Sequence, residues 1–435
     1  MSPIGPVLVT GADQHQGLAV IRGLGRAGIP VIAAGNHSGC IGFASRYATE
    51  RRTYTSPFRD PERFRDEMLA MVAELRPPLI IPAVEGTLVL LNELRDAFAP
   101  HTVLAAPEPD ILDHVLDKGR TLELAERCGV PAPRTSRGPG IERILDETVA
   151  FTFPVAVKPR GNPLHRSTVH ALGFKARYAG SHRELRQLLA PFAQDGEAIL
   201  VQEFARGIGR CVAAVCDHGR PLALFAYERD RELPLTGGVS VRRRSIPLDL
   251  TLRRHVTTLL GALRWHGVAM VEFKYDPWAD EYVLMEINGR FQASTALSLD
   301  AGLNLPHLVA ALFTGAPLPE VRPYRVGVEE RWLRGDILAL IGAWRSAEGP
   351  HLPGHRPPQD RWAATRDFLS DFRPGMCYDE FAWEDWKPGV VELFGMVAEA
   401  FRWSVDRVRG AYRRLTASPS LTSLANTVMH RSIRA

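Results

Sequence analysis

Lysine is scarce in this chain. Of 53 basic residues only five are lysine: Lys118, Lys158, Lys175, Lys274 and Lys387. In a protein that otherwise uses arginine, a retained lysine can mark a place where a compact ammonium does not exchange for a planar guanidinium. Cysteine is scarce too. The five thiols are scattered, and the nearest pair, Cys211 and Cys216, lacks CxxC spacing. That argues against a zinc site or disulfide framework and for reduced thiols in a cytoplasmic protein. No apolar run approaches the roughly 18 residues of a membrane span. The opening MSPIGPVLVTGADQ enters a strand-like run without a basic-then-apolar leader. A net charge of +4 is too mild to mark a nucleic-acid binder. No Ser-His-Asp or Cys-His signature is evident. What is present is an ordinary globular composition, 45% hydrophobic and 23% charged over 435 residues, with length for two to four structural units.

PVLVTGA (6–12) reads as an apolar strand running into a small-residue turn, followed by a helix from about Leu18 to Ala27 and a strand in GIPVIAAG. Gly11 and Gly17 lack GxGxxG spacing, so this turn alone is weak support for a nucleotide site. A helix around Arg63–Leu75, the strand PLIIPAV (78–84) and a helix around Leu88–Phe98 continue the alternation, predicting a small parallel α/β domain over 1–112. From 113 to 321 the texture is α+β. FPVAVKP (153–159), AILVQEF (198–204), CVAAVC, PLALFAY, VAMVEFKYD and YVLMEINGR read as strands, and LPLTGGVSVRRRS (233–245) reads as a loop. Beyond 322, six of the eight tryptophans (332, 344, 362, 383, 386 and 403) predict a packed, mostly helical accessory region. Residues 390–415 read as a docked helix with a solvated cationic face, with a membrane-surface helix as the alternative.

The chemistry concentrates in MEINGRF (285–291). On a strand, Glu286, Asn288 and Arg290 share one face while Met285 and Ile287 point the other way. If Asp276 pairs with Tyr282 across a five-residue PWADE loop, Glu272 lies opposite Glu286, and directly opposed like charges repel. Two carboxylates and an amide oxygen suit Mg²⁺. The bland alternative has Lys274 or Arg290 neutralising the pair. Lys158 ends a buried strand, where an ammonium is costly unless an anion meets it. Lys118 opens a helix after Asp117, where a helix N-terminus already favours anions. Two rare lysines upstream of a candidate metal strand pair suggest cations for a polyphosphate.

In order, DK (117–118), VAVKP (155–159), VQEF (201–204), VEF (271–273) and EINGRF (286–291) resemble the ATP-grasp superfamily, and most of all its carboxylate–amine ligase-like branch. The resemblance covers about residues 5–320. It implies a Rossmann-like N-terminal domain, a two-lobed ATP-grasp domain over 113–321 with its hinge near 201–206, and the accessory region over 322–435. It assigns Lys118 and Lys158 to ATP phosphates, and Gln202, Glu203, Phe204 and Ala205 to the adenine, largely through backbone groups. Glu272, Glu286 and Asn288 become ligands of Mg²⁺ (or Mn²⁺), and Arg290 stabilises the transferred phosphoryl group or an oxyanion. Two departures stand out. The loop RGNPLHRSTVHALG (160–173) is poor in glycine and carries Arg160, His165, Arg166 and His170, and ARGIGRC (205–211) supplies no acid for the ribose hydroxyls.

The implied reaction activates a carboxylate as an acyl phosphate for attack by an amine, with release of ADP and phosphate. Carboxylation chemistry resembling biotin carboxylase, or a non-catalytic nucleotide-binding scaffold, are the alternatives. Weaker substrate candidates are Glu85, after the strand LIIPAV, and Gly237, Gly238 and Arg242 in and after the TGGV loop, with Arg243 and Arg244 beside them. The partners implied are small-molecule carboxylates and amines and no nucleic acid, with a homodimer left open.

Overall fold

A computed structural model describes residues 4–138, 140–161, 176–192, 199–233, 238–345 and 360–399. The fold is mixed α/β, with one parallel and two largely antiparallel sheets. Residues up to Pro388 form one compact unit, and the helical residues 389–399 belong to a second.

The first sheet contains β1 (Val7–Thr10), β2 (Val31–Gly35), β3 (Ala48–Thr53), β4 (Leu79–Pro82) and β5 (Val103–Leu104), all parallel in the order β3-β2-β1-β4-β5. Every residue of β1, β2 and β4 is buried, as strands covered on both faces must be. The strand order reverses between β1 and β4, so the loops after these two strands diverge and open a crevice at their carboxyl ends. Glu85 opens the helix Glu85–Glu93 at that point, and the Thr10 and Thr87 hydroxyls hydrogen-bond across the crevice at 2.8 Å.

A four-stranded antiparallel sheet follows: β6 (Thr135–Ser136), β7 (Val155–Pro159), β8 (Arg177–Ala179) and β9 (Ile199–Glu203), ordered β6-β9-β7-β8. Its own core gathers Val155, Val157, Leu185, Leu189 and Val201. Residues 204–207 then lead into the largest sheet. Gly207 there has φ +107°, and an added Cβ would meet the Tyr275 carbonyl oxygen at 2.1 Å, so only glycine fits this crossing.

The seven-stranded sheet runs β14-β13-β10-β11-β12-β15-β16, built from β10 (Ile208–Asp217), β11 (Arg220–Leu233), β12 (Val239–Ser245), β13 (Gly267–Asp276), β14 (Glu281–Asn288), β15 (Glu329–Arg331) and β16 (Met376–Tyr378). Along β10, Val212, Ala214 and Cys216 enter one core, beneath the helix Leu250–Ala262. The alternate residues Cys211, Ala213 and Val215 enter a second, which also holds Val20, Ile21 and Leu24 of the helix His15–Arg26. A strand buried on both faces has no polar alternation, hence the unbroken run CVAAVC.

Three expectations change. Residues 239–245, read as the end of a loop, form strand β12; its three consecutive arginines hid the alternation. The stretch from 322 is not only helical, since β15 and β16 extend the sheet beyond β12. Its tryptophans are also not a packed core: Trp344, Trp362, Trp383 and Trp386 are 44%, 61%, 99% and 54% exposed. Trp403 and residues 400–415 lie outside the described residues, as do Lys175 and 162–173 of the expected phosphate loop. All five cysteines are free thiols. Among the described residues no helix is long and apolar enough to cross a membrane.

Candidate active site

The β13–β14 hairpin does bring Glu272 opposite Glu286, but by a different route from the expected register. At the turn Asp276 pairs with Glu281 and Tyr275 with Tyr282, one residue out of the expected alignment, which leaves a four-residue loop. Between Phe273 and Glu272 the register shifts, with Met285 as the extra residue of a β-bulge. The bulge restores the facing acids. It also turns Glu286 and Asn288 toward a cavity of about 490 Å³, which Glu85, Lys118, Pro159, Gly161 and Arg290 help to line.

Elements far apart in the chain supply that cavity. Lys118 is the first residue of the helix Lys118–Arg127, whose N-cap Asp117 accepts from the amides of Gly119 (2.7 Å) and Arg120 (3.2 Å). Its ammonium stands 3.8 Å from Glu286 Oε2. Asn288 Nδ2 donates to Glu286 Oε1 at 2.9 Å. Glu85, at the crevice of the parallel sheet, lies 3.8 Å from Arg290 Nε. Lys158, the penultimate residue of β7, has no ion-pair partner among the described residues. Arg160, expected over phosphates, is engaged by Asp117 at 3.1 Å.

The charges are strongly perturbed. Burial pushes the Glu286 carboxyl up, but Lys118, the Asn288 amide, Arg229 and Arg290 together outweigh it and hold the group down at about 2. Burial pulls Lys158 down to about 8, opposed by Glu286 and helped by Lys118. For Glu272 burial is again the largest influence and raises its carboxyl, against the pull of Arg229.

Arg229 escaped the sequence reading. It sits on β11, two strands from β13, and grips Glu272 with Nη1 to Oε1 at 2.8 Å and Nη2 to Oε2 at 2.5 Å. The acid pair is thus relieved by Arg229 on one side and Lys118 on the other. Lys274 instead pairs with Glu232 at 3.6 Å. The only signal available was the run of charges RDRE within β11, which names no partner.

Other expected residues are placed apart. Gln202 is buried within its sheet, and its amide donates to Thr135 Oγ1 at 3.0 Å. The Glu203 amide is committed to Arg134 O and its carboxylate to the Thr152 amide. Phe204 meets Tyr178 edge-on, and Ala205 follows in the connecting segment. Arg242 does not line the cavity; it is tied to Glu329 (2.8 Å) and Asp371 (3.3 Å). Gly238 is exposed, with its carbonyl 3.4 Å from Arg229, and Gly237 lies outside the described residues.

No protein-family model matches the chain. It is 25% identical to the carbamoyl phosphate synthase large chain of Thermomicrobium roseum, over 73% of this chain and 29% of that protein. It is 27% identical to the D-alanine–D-alanine ligase of Caulobacter sp., over 40% of this chain and 55% of the ligase. The chain therefore spans under a third of the first relative and little more than half of the second. Among solved structures, a biotin carboxylase–ATP-analogue complex from Campylobacter jejuni superposes with a TM-score of 0.58 at 16% identity, covering 75% of this chain and 74% of that one. An L-amino acid ligase from Bacillus licheniformis gives 0.56 at 16% identity, over 73% and 77%. The chain has the ATP-grasp fold.

An ATP-grasp site calls for a divalent cation beside the nucleotide, and the residues here fit it in part. Glu286 is ionised, half-exposed and open to the cavity, and with Asn288 offers hard oxygen donors. Glu272 does not fit, because both its oxygens are already held by one guanidinium. The phosphate role expected of Lys158 carries a pH profile as its test. Affinity for a non-hydrolysable ATP analogue falls between about pH 7 and about pH 9 as the ammonium deprotonates, and Lys158→Arg, which stays charged, flattens that fall. A profile unchanged in the variant removes Lys158 from the phosphate site.

Proposed function

We propose that this chain is an ATP-dependent carboxylate–amine ligase. The observation that carries the reading is the convergence of Lys118, Glu286, Asn288, Arg290 and Glu85 on one cavity, from elements far apart in sequence. Fixed cations, an ionised carboxylate and an amide are what phosphoryl transfer asks of a protein, since its catalysis is mainly positioning and charge neutralisation.

In the proposed layout, residues 1–112 precede a clasp over 113–321 with its hinge at 201–206, and the stretch beyond 322 builds onto the outer edge of the clasp's large sheet. Lys118 and Lys158 hold the nucleotide phosphates. The committed groups of Gln202 and Glu203 narrow the adenine contact toward the backbone of Phe204 and Ala205. Glu286 and Asn288 would hold Mg²⁺, which supplies Lewis-acid neutralisation of phosphate charge when bound. Arg290 binds the carboxylate and then faces the oxyanion as the acyl carbon becomes tetrahedral. Glu85, beside Arg290, receives the ammonium of the incoming amine.

The bonds balance without a side-chain nucleophile. A carboxylate oxygen attacks the γ-phosphorus and ADP leaves. The ammonium first releases a proton to solvent, the freed amine nitrogen attacks the acyl carbon, phosphate leaves, and the nitrogen gives up a second proton to form the amide. The decisive test incubates the protein with Mg·ATP and pooled amino acids and small carboxylic acids, following ADP release and new masses together. Pool-dependent ADP with a product one water lighter than its two parents is expected. Nucleotide binding with no turnover across a broad pool would count against the reading.

A further inference from the structure

The family likeness expects two carboxylates to face the metal, yet only one is free to do so. We infer that Arg229 occupies the carboxylate of Glu272 that a divalent ion would otherwise take, so that the chain binds a single divalent ion, through Glu286 and Asn288 without Glu272. The inference rests on the ligase reading of the cavity.

Arg229 reaches Glu272 by crossing β10, which lies between their strands. It crosses at Gly209, where an added Cβ would lie 3.0 Å from the Arg229 Cδ, so a side chain at 209 would crowd the path. The guanidinium is also held from behind: Nη1 lies 3.2 Å from Glu232 Oε1, and Lys274 Nζ lies 3.6 Å from Glu232 Oε2. The side chains of Arg229, Glu272, Glu232 and Lys274 are only 10–12% exposed. This group holds two anions and two cations and is already neutral. A divalent ion on Glu272 would have to break a bidentate, charge-assisted pair and leave a guanidinium buried without its partner. Glu286 presents the opposite case. Its side chain is 35% exposed, and its ion-pair partner among the described residues, Lys118, is 3.8 Å away and 32% exposed, able to swing toward a phosphate.

The test counts Mn²⁺ bound to the full chain by electron paramagnetic resonance, at saturating concentrations of a non-hydrolysable ATP analogue. One Mn²⁺ per chain is expected, and two would overturn the inference. In Arg229→Gln the freed Glu272 admits a second ion; a count that stays at one in a folded variant would also overturn it. The double variant Arg229→Met with Glu272→Met removes both buried charges together and guards against misfolding of the single change. It keeps the one Mn²⁺ at near-native affinity, whereas a loss of about tenfold or more would restore Glu272 as a ligand. Analogue binding is measured separately by fluorescence. If the analogue does not bind at all, the ligase reading fails and this inference with it, whereas a count of two sinks the inference alone.

Discussion

Glu286→Gln abolishes Mg-dependent ADP formation, by about a thousandfold or more, while the protein still folds. The size follows from the charge removed. A cation at a transferring phosphoryl group supplies several kcal/mol, and about 4 kcal/mol corresponds to roughly three powers of ten in rate. The fold survives because Glu286 supports little around it. Its partner Lys118 is a third exposed and rehydrates when the carboxylate goes, and a Gln amide still meets Asn288. The contrast with Glu272→Gln makes the result diagnostic. That variant leaves Arg229 without its fork in a buried setting, so it loses stability, and activity only as the fold is lost. The check is a rate assay paired with a urea titration on each variant. A Glu286→Gln enzyme with a near-native rate would remove the metal assignment and, with it, the main support for phosphoryl transfer at this cavity.

The candidate site was partly legible for a local reason. Glu286, Asn288 and Arg290 follow one another at period two, and the acid facing them is only 14 positions upstream on the adjoining strand. Hairpin neighbours can be aligned by eye. Even so, the route was misread, because a one-residue bulge leaves no mark in VLMEING. Arg229 was not legible. Its approach to Glu272 depends on the sheet order β13-β10-β11, which no spacing in the chain encodes. The parallel first sheet was readable because its strands are short apolar runs alternating with helices. The later sheet was harder, and β12 most of all, since RRR looks solvent-facing until its partners are known. The partners of Arg243, the middle one, lie 87 and 136 residues further along the chain.

Arg243→Met destabilises the protein by about 3–5 kcal/mol, the range for breaking a buried pair by removing one partner. Arg243 is fully buried, its Nε donates to Glu330 Oε2 at 2.9 Å, and its Nη2 pairs with Asp379. Burial pushes the Glu330 carboxyl far above the usual range and the guanidinium pulls it back. Methionine fills most of the volume but leaves two buried carboxylates, Glu330 and Asp379, facing each other with no cation. Glu330 then folds only at the cost of taking up a proton or carrying an uncompensated charge. The Glu330 carboxyl, already raised by burial, rises further without its guanidinium, so the variant's deficit is largest near neutrality and shrinks as pH falls toward the carboxylate range. Arg243→Lys recovers part of the loss, because a point charge cannot serve both acids as the planar fork does. Urea midpoints at about pH 5.5 and about pH 7.5 read this difference directly. KM for the proposed carboxylate substrate separates the two roles considered for this arginine. An unchanged KM with a lowered midpoint makes Arg243 a clamp between β12, β15 and the segment after β16. A raised KM with a native midpoint would return it to the substrate pocket.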